Sequence, residues 1–320
     1  LEALQDLGLA TRRTPVSGTS GGALVSGLSC LGVPDKDANR IYKRVDDTCR
    51  GQWSCAGQLD ATVKSAMRDA VSAAMRAAGI SATAQVARDA FVRDRCSNVA
   101  RLTVTKINHP AQRRIMDALN DVTPLYVTDF KNEEDFVNAG SASAFIPLFS
   151  GREAGVPAGQ GWHSLFRGDA AVDGGFSAPL PPCASGSDPC VKVVATTEHL
   201  VTGKKVGGFP ATTAPKAGPA LDSADIRPGK YSPLPMGLTY ETWQRHALIA
   251  PSDAMAAAMQ QHGRDQAVAW ACDAYPKLMK GQQAACAAAV KGSGGAGAKQ
   301  QQQAPPRKMM LPAGMAAMRG

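Results

Sequence analysis

Ser20 stands in the run Gly18-Thr19-Ser20-Gly21-Gly22, which satisfies G-x-S-x-G. A serine at a strand-to-helix turn can act as a nucleophile. Small neighbours such as Gly18 and Gly22 let strand and helix approach closely, and the helix that follows aims its free N–H groups and positive end at an anion forming beside the hydroxyl. The Gly21 N–H is then a candidate oxyanion donor. Glycine supplies 32 of 320 residues, so the pattern also arises by chance, and a glycine-rich helix start is the plainer alternative. A base is needed as well. Asp173-Gly174-Gly175 follows the apolar Ala170-Ala171-Val172, which sets Asp173 at the C-terminal end of a buried strand. Asp-Gly is also an ordinary turn dipeptide. In open α/β sheets, sites collect at the carboxyl ends of strands, and Ser20 is expected on that same edge. A free Asp titrates near pH ~4 and is a weak base at neutrality; burial beside Val172 and Phe176 would raise it.

A conventional triad is the competing arrangement. Ser20, Asp173 and His199 follow the chain order of α/β-hydrolase triads. No special turn surrounds His199, and His109, His163, His246 and His262 read as loop or helix-surface residues. Eight cysteines, at 30, 49, 55, 96, 183, 190, 272 and 286, lack the spacing of a structural zinc knuckle. Cys49–Cys55 and Cys183–Cys190 can close small disulfide loops in an oxidising compartment, and buried free thiols fit the sequence equally. The net charge of +8 looks like a nucleic-acid signal until it is located: Lys291, Lys299, Arg307, Lys308 and Arg319 carry five of those charges in a stretch with no acid and no aromatic residue. A solvated basic tail explains that better than a nucleic-acid arm. No run has the length of a membrane span.

These residues need elements to position them. "LEALQDLGL" at the start reads as the last turns of an amphipathic helix, and "GGALVSGLSCLGVP" after Ser20 as an apolar interior helix stopped by Gly32 and Pro34. Val63, Met67, Ala70, Val71, Ala74 and Ala78 form one stripe of a helix ending at Gly79. "RLTVTKI" (101–107) and "PLYVTDF" (124–130) read as strands, with 108–123 between them too polar for core. Asn132 is the expected N-cap of a helix whose first turn holds Glu133, Glu134 and Asp135. "AAVDGG" and "VKVVAT" read as further buried strands, 203–237 as a Pro/Gly-rich loop, and 252–275 as a last helix. Residues 281–320 read as a disordered, basic low-complexity tail. Strands alternating with helices imply an α/β fold.

The serine and aspartate motifs, in this order, resemble those of the patatin-like phospholipases, and more closely the adiponutrin and adipose triglyceride lipase branch. "SGTSGGALV" resembles the nucleophile segment, "LYVTDFKNEEDFVNAGSASAFIPLFSG" a strand, acidic-start helix and Phe-Ile-Pro turn, and "VDGGFSAPLP" the aspartate loop. Weaker similarity runs on through "DIRPGKYSPLP" to about Ala274. The resemblance implies a three-layer α/β/α sandwich with a mostly parallel central sheet over residues 1–280. It implies a Ser20–Asp173 dyad, with Gly174 and Gly175 in the aspartate loop and no metal or organic cofactor. The family's first strand and its glycine-run oxyanion loop would precede Leu1. The implied activity is hydrolysis of glycerolipid acyl esters, of triacylglycerol lipase or phospholipase A type, at a membrane or lipid-droplet surface in the cytoplasm. A patatin-fold lipid-binding or scaffold protein without activity is the alternative.

Overall fold

A computed structural model describes residues 1–50, 58–110, 115–147, 150, 162–183, 190–195, 224–239, 242–243, 246 and 250–291. Nine α-helices and five strands lie among them, and the sheet is organised by one strand. That strand, β2 (Ala100–Ile107), buries both faces: Leu102 and Val104 on one side, Thr103 and Thr105 on the other. On one edge it pairs antiparallel with β3 (Val122–Val127) from Leu102 to Ile107. On the other edge two strands share its length. β1 (Val16–Thr19) runs parallel to Ala100–Thr103, and β5 (Asp169–Asp173) runs antiparallel to Val104–Lys106. β4 (Ser164–Phe166) completes the sheet as a hairpin with β5. Its turn residues Arg167 and Gly168 both have positive φ, 51° and 88°, the twist that two-residue hairpins favour. Arg167 is held there by its guanidinium, which donates to the Asp135 carboxylate and to the Asp129 carbonyl.

The expected α/β layering is present, but the sheet is mixed: one parallel pairing and three antiparallel ones among the described residues. β3 follows β2 through residues 108–121, whose described part includes a short helix, and β5 follows β4 directly through a two-residue turn.

Helices cover the Leu102 face. After β1 come α1's successors in the chain: α2 (Gly21–Leu31), α3 (Asp35–Cys49), α4 (Leu59–Ala77) and α5 (Gln85–Cys96), α1 itself being Glu2–Asp6. α2 is apolar and largely buried, and ends in a left-handed Gly32, whose own N–H donates to the Ser29 carbonyl while the Val33 N–H donates to the Leu28 carbonyl. α4 buries the expected stripe except Ala78, which is the exposed C-cap. α7 (Glu133–Ser143) is capped as expected by the Asn132 side chain, which accepts from the Asp135 N–H at 2.8 Å. α2, α4, α5 and α7 close one core over β2 with Met67, Val71, Phe130 and Phe136 at its centre.

Three expectations are corrected. The 108–123 connection contains a short helix, α6 (Ile115–Leu119), whose Ala118 is fully buried. "VKVVAT" is not a buried sheet strand in its described part: Val193 is half exposed and makes one isolated bridge to Ile226, away from the sheet. The boundary at 281 also moves. α8 (Asp253–Ala274) is followed by α9 (Gln283–Lys291), an alanine-rich helix joined to α8 by Cys272–Cys286 and burying Ala289. Alanine's helix propensity and the covalent tie order a segment that composition alone marks as loose. α1, α8 and α9 enclose a second small core around Trp270, Ala271 and Met279. Part of the expected 203–237 loop, and all of 292–320, lie outside the described residues.

Cys30–Cys96 and Cys183–Cys190 are also bonded, and Cys49 is disulfide-bonded too. Such bonds persist in oxidising compartments and are rarer in the cytosol. Among the described residues no helix is long and apolar enough to cross a membrane.

Candidate active site

Ser20 occupies the single residue between β1 and α2, with φ 56° and ψ −129°. A non-glycine residue in that region costs on the order of 1–3 kcal/mol and persists only where its surroundings fix it. Two kinds of contact fix it here. The Ser20 N–H donates to Ser143 Oγ at 3.1 Å, and the Ser20 carbonyl accepts from the Ala23 N–H at 2.9 Å. The neighbouring glycines differ in what they do. A Cβ on Gly18 would overlap the Gly22 carbonyl oxygen, so a larger residue there would drive strand and helix apart. Gly21 and Gly22 are exposed and a Cβ on either would meet nothing within 4 Å. Their N–H groups are the first of α2 and have no intrahelical acceptor.

Asp173 reaches the same place from the opposite direction. Thr19 pairs with Thr103 and Asp173 with Val104, so the C-terminal ends of β1 and β5 abut along one edge of β2. The serine and aspartate therefore do not share one edge of a parallel sheet, as the sequence suggested. They meet head to head in mid-sheet because β5 is antiparallel. Asp173 is 6% exposed, and its N–H donates to the Phe145 carbonyl at 2.8 Å. Oδ1 accepts from the Gly175 N–H at 2.7 Å, and Oδ2 is buried with no hydrogen-bond partner among the described residues. Burial pushes the carboxyl up to about 6, while the nearby Ser20 hydroxyl and the Gly175 N–H favour its charged form.

The aspartate turn is locked from below. A Cβ on Gly174 would overlap the Thr103 carbonyl oxygen, and one on Gly175 would crowd Asp173 Oδ1 at 3.0 Å. Thr19 Oγ1 donates to the Ala178 carbonyl at 2.9 Å, and Thr105 and Ser177 hydroxyls lie 2.7 Å apart. Ser17, Thr19, Thr103 and Thr105 thus give β1 and β2 a polar face under the loop.

Among the described residues no imidazole acts on the Asp173 carboxylate. His109 faces Asp121 on the surface, and His163 Nδ1 lies 3.1 Å from the Ser164 carbonyl. His262 is not a helix-surface residue: it is fully buried on α8, its Nε2 accepts from the Gly229 N–H, and its ring packs edge-on to Trp243. That burial holds its pKa below the usual histidine value. His199 lies outside the described residues. Sequence reading missed Ser143 and Phe145, which hold the amides of Ser20 and Asp173. They sit inside a segment already noted for its similarity, but nothing in residue type tells a buried serine that braces a neighbour from one that fills space.

A family model described as patatin-like phospholipase matches residues 1–182, more than half of the chain and including both Ser20 and Asp173. No curated protein and no solved structure matches.

Proposed function

Because the chain belongs to the patatin-like phospholipase family, whose members are lipid acyl hydrolases, we propose that it cleaves glycerolipid acyl esters with Ser20 as nucleophile and Asp173 as base. The observation that carries this is the head-to-head meeting of β1 and β5, with a strained serine facing a buried carboxylate that has a free oxygen. Asp173 takes the hydroxyl proton as Ser20 attacks the acyl carbonyl, the alcohol leaves with that proton, and an acyl-enzyme remains. Water then attacks the acyl-enzyme, giving its proton to Asp173, and the fatty acid departs as Ser20 is restored. The Gly21 N–H, at the positive end of α2, contributes to the oxyanion site. Both catalytic roles are filled by side chains of this protein.

The segments similar to the adiponutrin and adipose triglyceride lipase branch favour neutral glycerolipid over phospholipid, presented at a membrane or lipid-droplet surface. The test uses the full-length protein and one fluorogenic ester. Ser20→Ala is expected to abolish acylation, and Asp173→Asn to lower it by about 10³-fold or more. His199→Gln is expected to retain activity within about threefold, since a dyad carries the proton without imidazole. Loss of activity in His199→Gln equal to that in Asp173→Asn, with both variants folded by circular dichroism, would replace the dyad by a triad.

A further inference from the structure

The end of α7 touches both halves of the proposed dyad, and it does so through different atoms. Ser143 is fully buried at the last position of α7. Its hydroxyl accepts from the Ser20 N–H at 3.1 Å and donates to the Thr103 carbonyl at 2.5 Å. Two residues on, the Phe145 carbonyl accepts the Asp173 N–H at 2.8 Å. Thr103 is the residue of β2 that pairs with Thr19, and its carbonyl is the group against which Gly174 packs with no room for a Cβ. One short segment and one peptide of β2 are therefore the common reference for the amides on both sides.

We propose that Ser143 is a positioning residue that sets the distance between Ser20 and Asp173, rather than a packing residue of the α7 end. A hydroxyl has one proton to give. With that proton directed to the Thr103 carbonyl, only its lone pairs face Ser20, and the Ser20 N–H is the donor that meets them. This bond is what keeps Ser20 in its positive-φ conformation on the strand side, while the Ala23 bond acts on its helix side. Without it the elbow can relax toward an ordinary backbone and carry the hydroxyl away from Asp173. Misplacement of a reacting group by about 1 Å is enough to cost on the order of 10²-fold in rate without weakening substrate binding.

The proposal rests on the Ser20–Asp173 reading, and its test separates the two. Wild type, Ser20→Ala, Ser143→Ala and Ser143→Thr are compared in the full-length protein on one soluble short-chain ester, each checked for a cooperative melt. Ser143→Ala is expected to lower kcat by about 10- to 100-fold with KM within about twofold. Ser143→Thr, which keeps the hydroxyl, is expected to recover most of that loss. If Ser20→Ala stays active, the nucleophile assignment fails, and Ser143 has nothing to position. If Ser20→Ala is inactive but folded Ser143→Ala keeps its kcat, the clamp is wrong while the dyad stands. A Ser143→Thr protein that melts like wild type yet is as slow as Ser143→Ala also overturns it. Should Ser143→Thr not fold, the kcat-against-KM split of Ser143→Ala decides alone.

Discussion

Asp173 carries the clearest conflict between stability and chemistry. A carboxylate with an unpartnered buried oxygen is an expensive group to keep. Its folded-state value of about 6 lies above the unfolded value near ~4. Between those two pH values the folded protein binds the proton that the unfolded chain has released. Stability therefore falls as pH rises through this window, and the deficit is complete above about pH 6. Two units correspond to about 3 kcal/mol. Asp173→Asn keeps the shape and an acceptor for the Gly175 N–H, so it should be about 1–3 kcal/mol more stable than wild type at pH 8 and no more stable at pH 4. Urea titrations at the two pH values check this, and a variant less stable at pH 8 would contradict it. In the proposed dyad the same carboxyl sets the activity profile. The base works only when ionised, so acylation should rise with pH through about 6 and level off above it.

At the scale of elements, the two elbow glycines separate what a motif says from what packing requires. Gly18→Ala puts a methyl group onto the Gly22 carbonyl, which is backbone and cannot swing aside. It should cost about 1–3 kcal/mol and impair acylation, because β1 and α2 must move apart. Gly22→Ala meets open space inside a helix, so it should be neutral or stabilising by up to ~1 kcal/mol. Paired melting curves decide, and equal losses in both would show that the motif spacing itself is the constraint. The elements most legible in the sequence were those whose periodicity matched a single buried face, such as α4 with Val63, Met67 and Val71, or β2 with Leu102 and Val104. Asn132 at the start of α7 was legible because capping is local. "VKVVAT" misled because five apolar or β-branched residues make a strand only where an edge exists to receive them, and among the described residues Val193 bridges only Ile226. The antiparallel sense of β5 was equally hidden. It depends on the tight Arg167–Gly168 turn, whose hold on Asp135 and Asp129 is tertiary.

Across the whole molecule, covalent ties fall where the noncovalent core is thinnest or where the site needs bracing. Cys30–Cys96 joins the C-terminal ends of α2 and α5, so the helix that begins at Ser20 is anchored at its far end. Cys272–Cys286 closes the small α1–α8–α9 core, whose buried side chains include Leu4, Ile226, Trp270 and Met279. The pairing of Cys30 with Cys96 was not legible from spacing, because their 66-residue separation becomes close only once α2 and α5 lie side by side. The same reasoning resets the boundary of the dispensable C-terminus. A chain ending at residue 291 keeps the disulfide and the buried Ala289. The residues it loses have no helical or strand periodicity. A chain ending at residue 280 loses Cys286 and α9 and exposes the face of α8 that they cover. Losing a native disulfide typically costs about 2–5 kcal/mol, so the shorter chain should melt several degrees lower and carry a reactive Cys272 thiol. The chain ending at 291 should melt with the intact protein. Because α8 belongs to the second core and Ser20 to the first, ester hydrolysis at low temperature should be nearly equal in both truncations. Thiol titration and calorimetry of the two proteins test this, and equal melting temperatures would mean that α9 adds nothing to the fold.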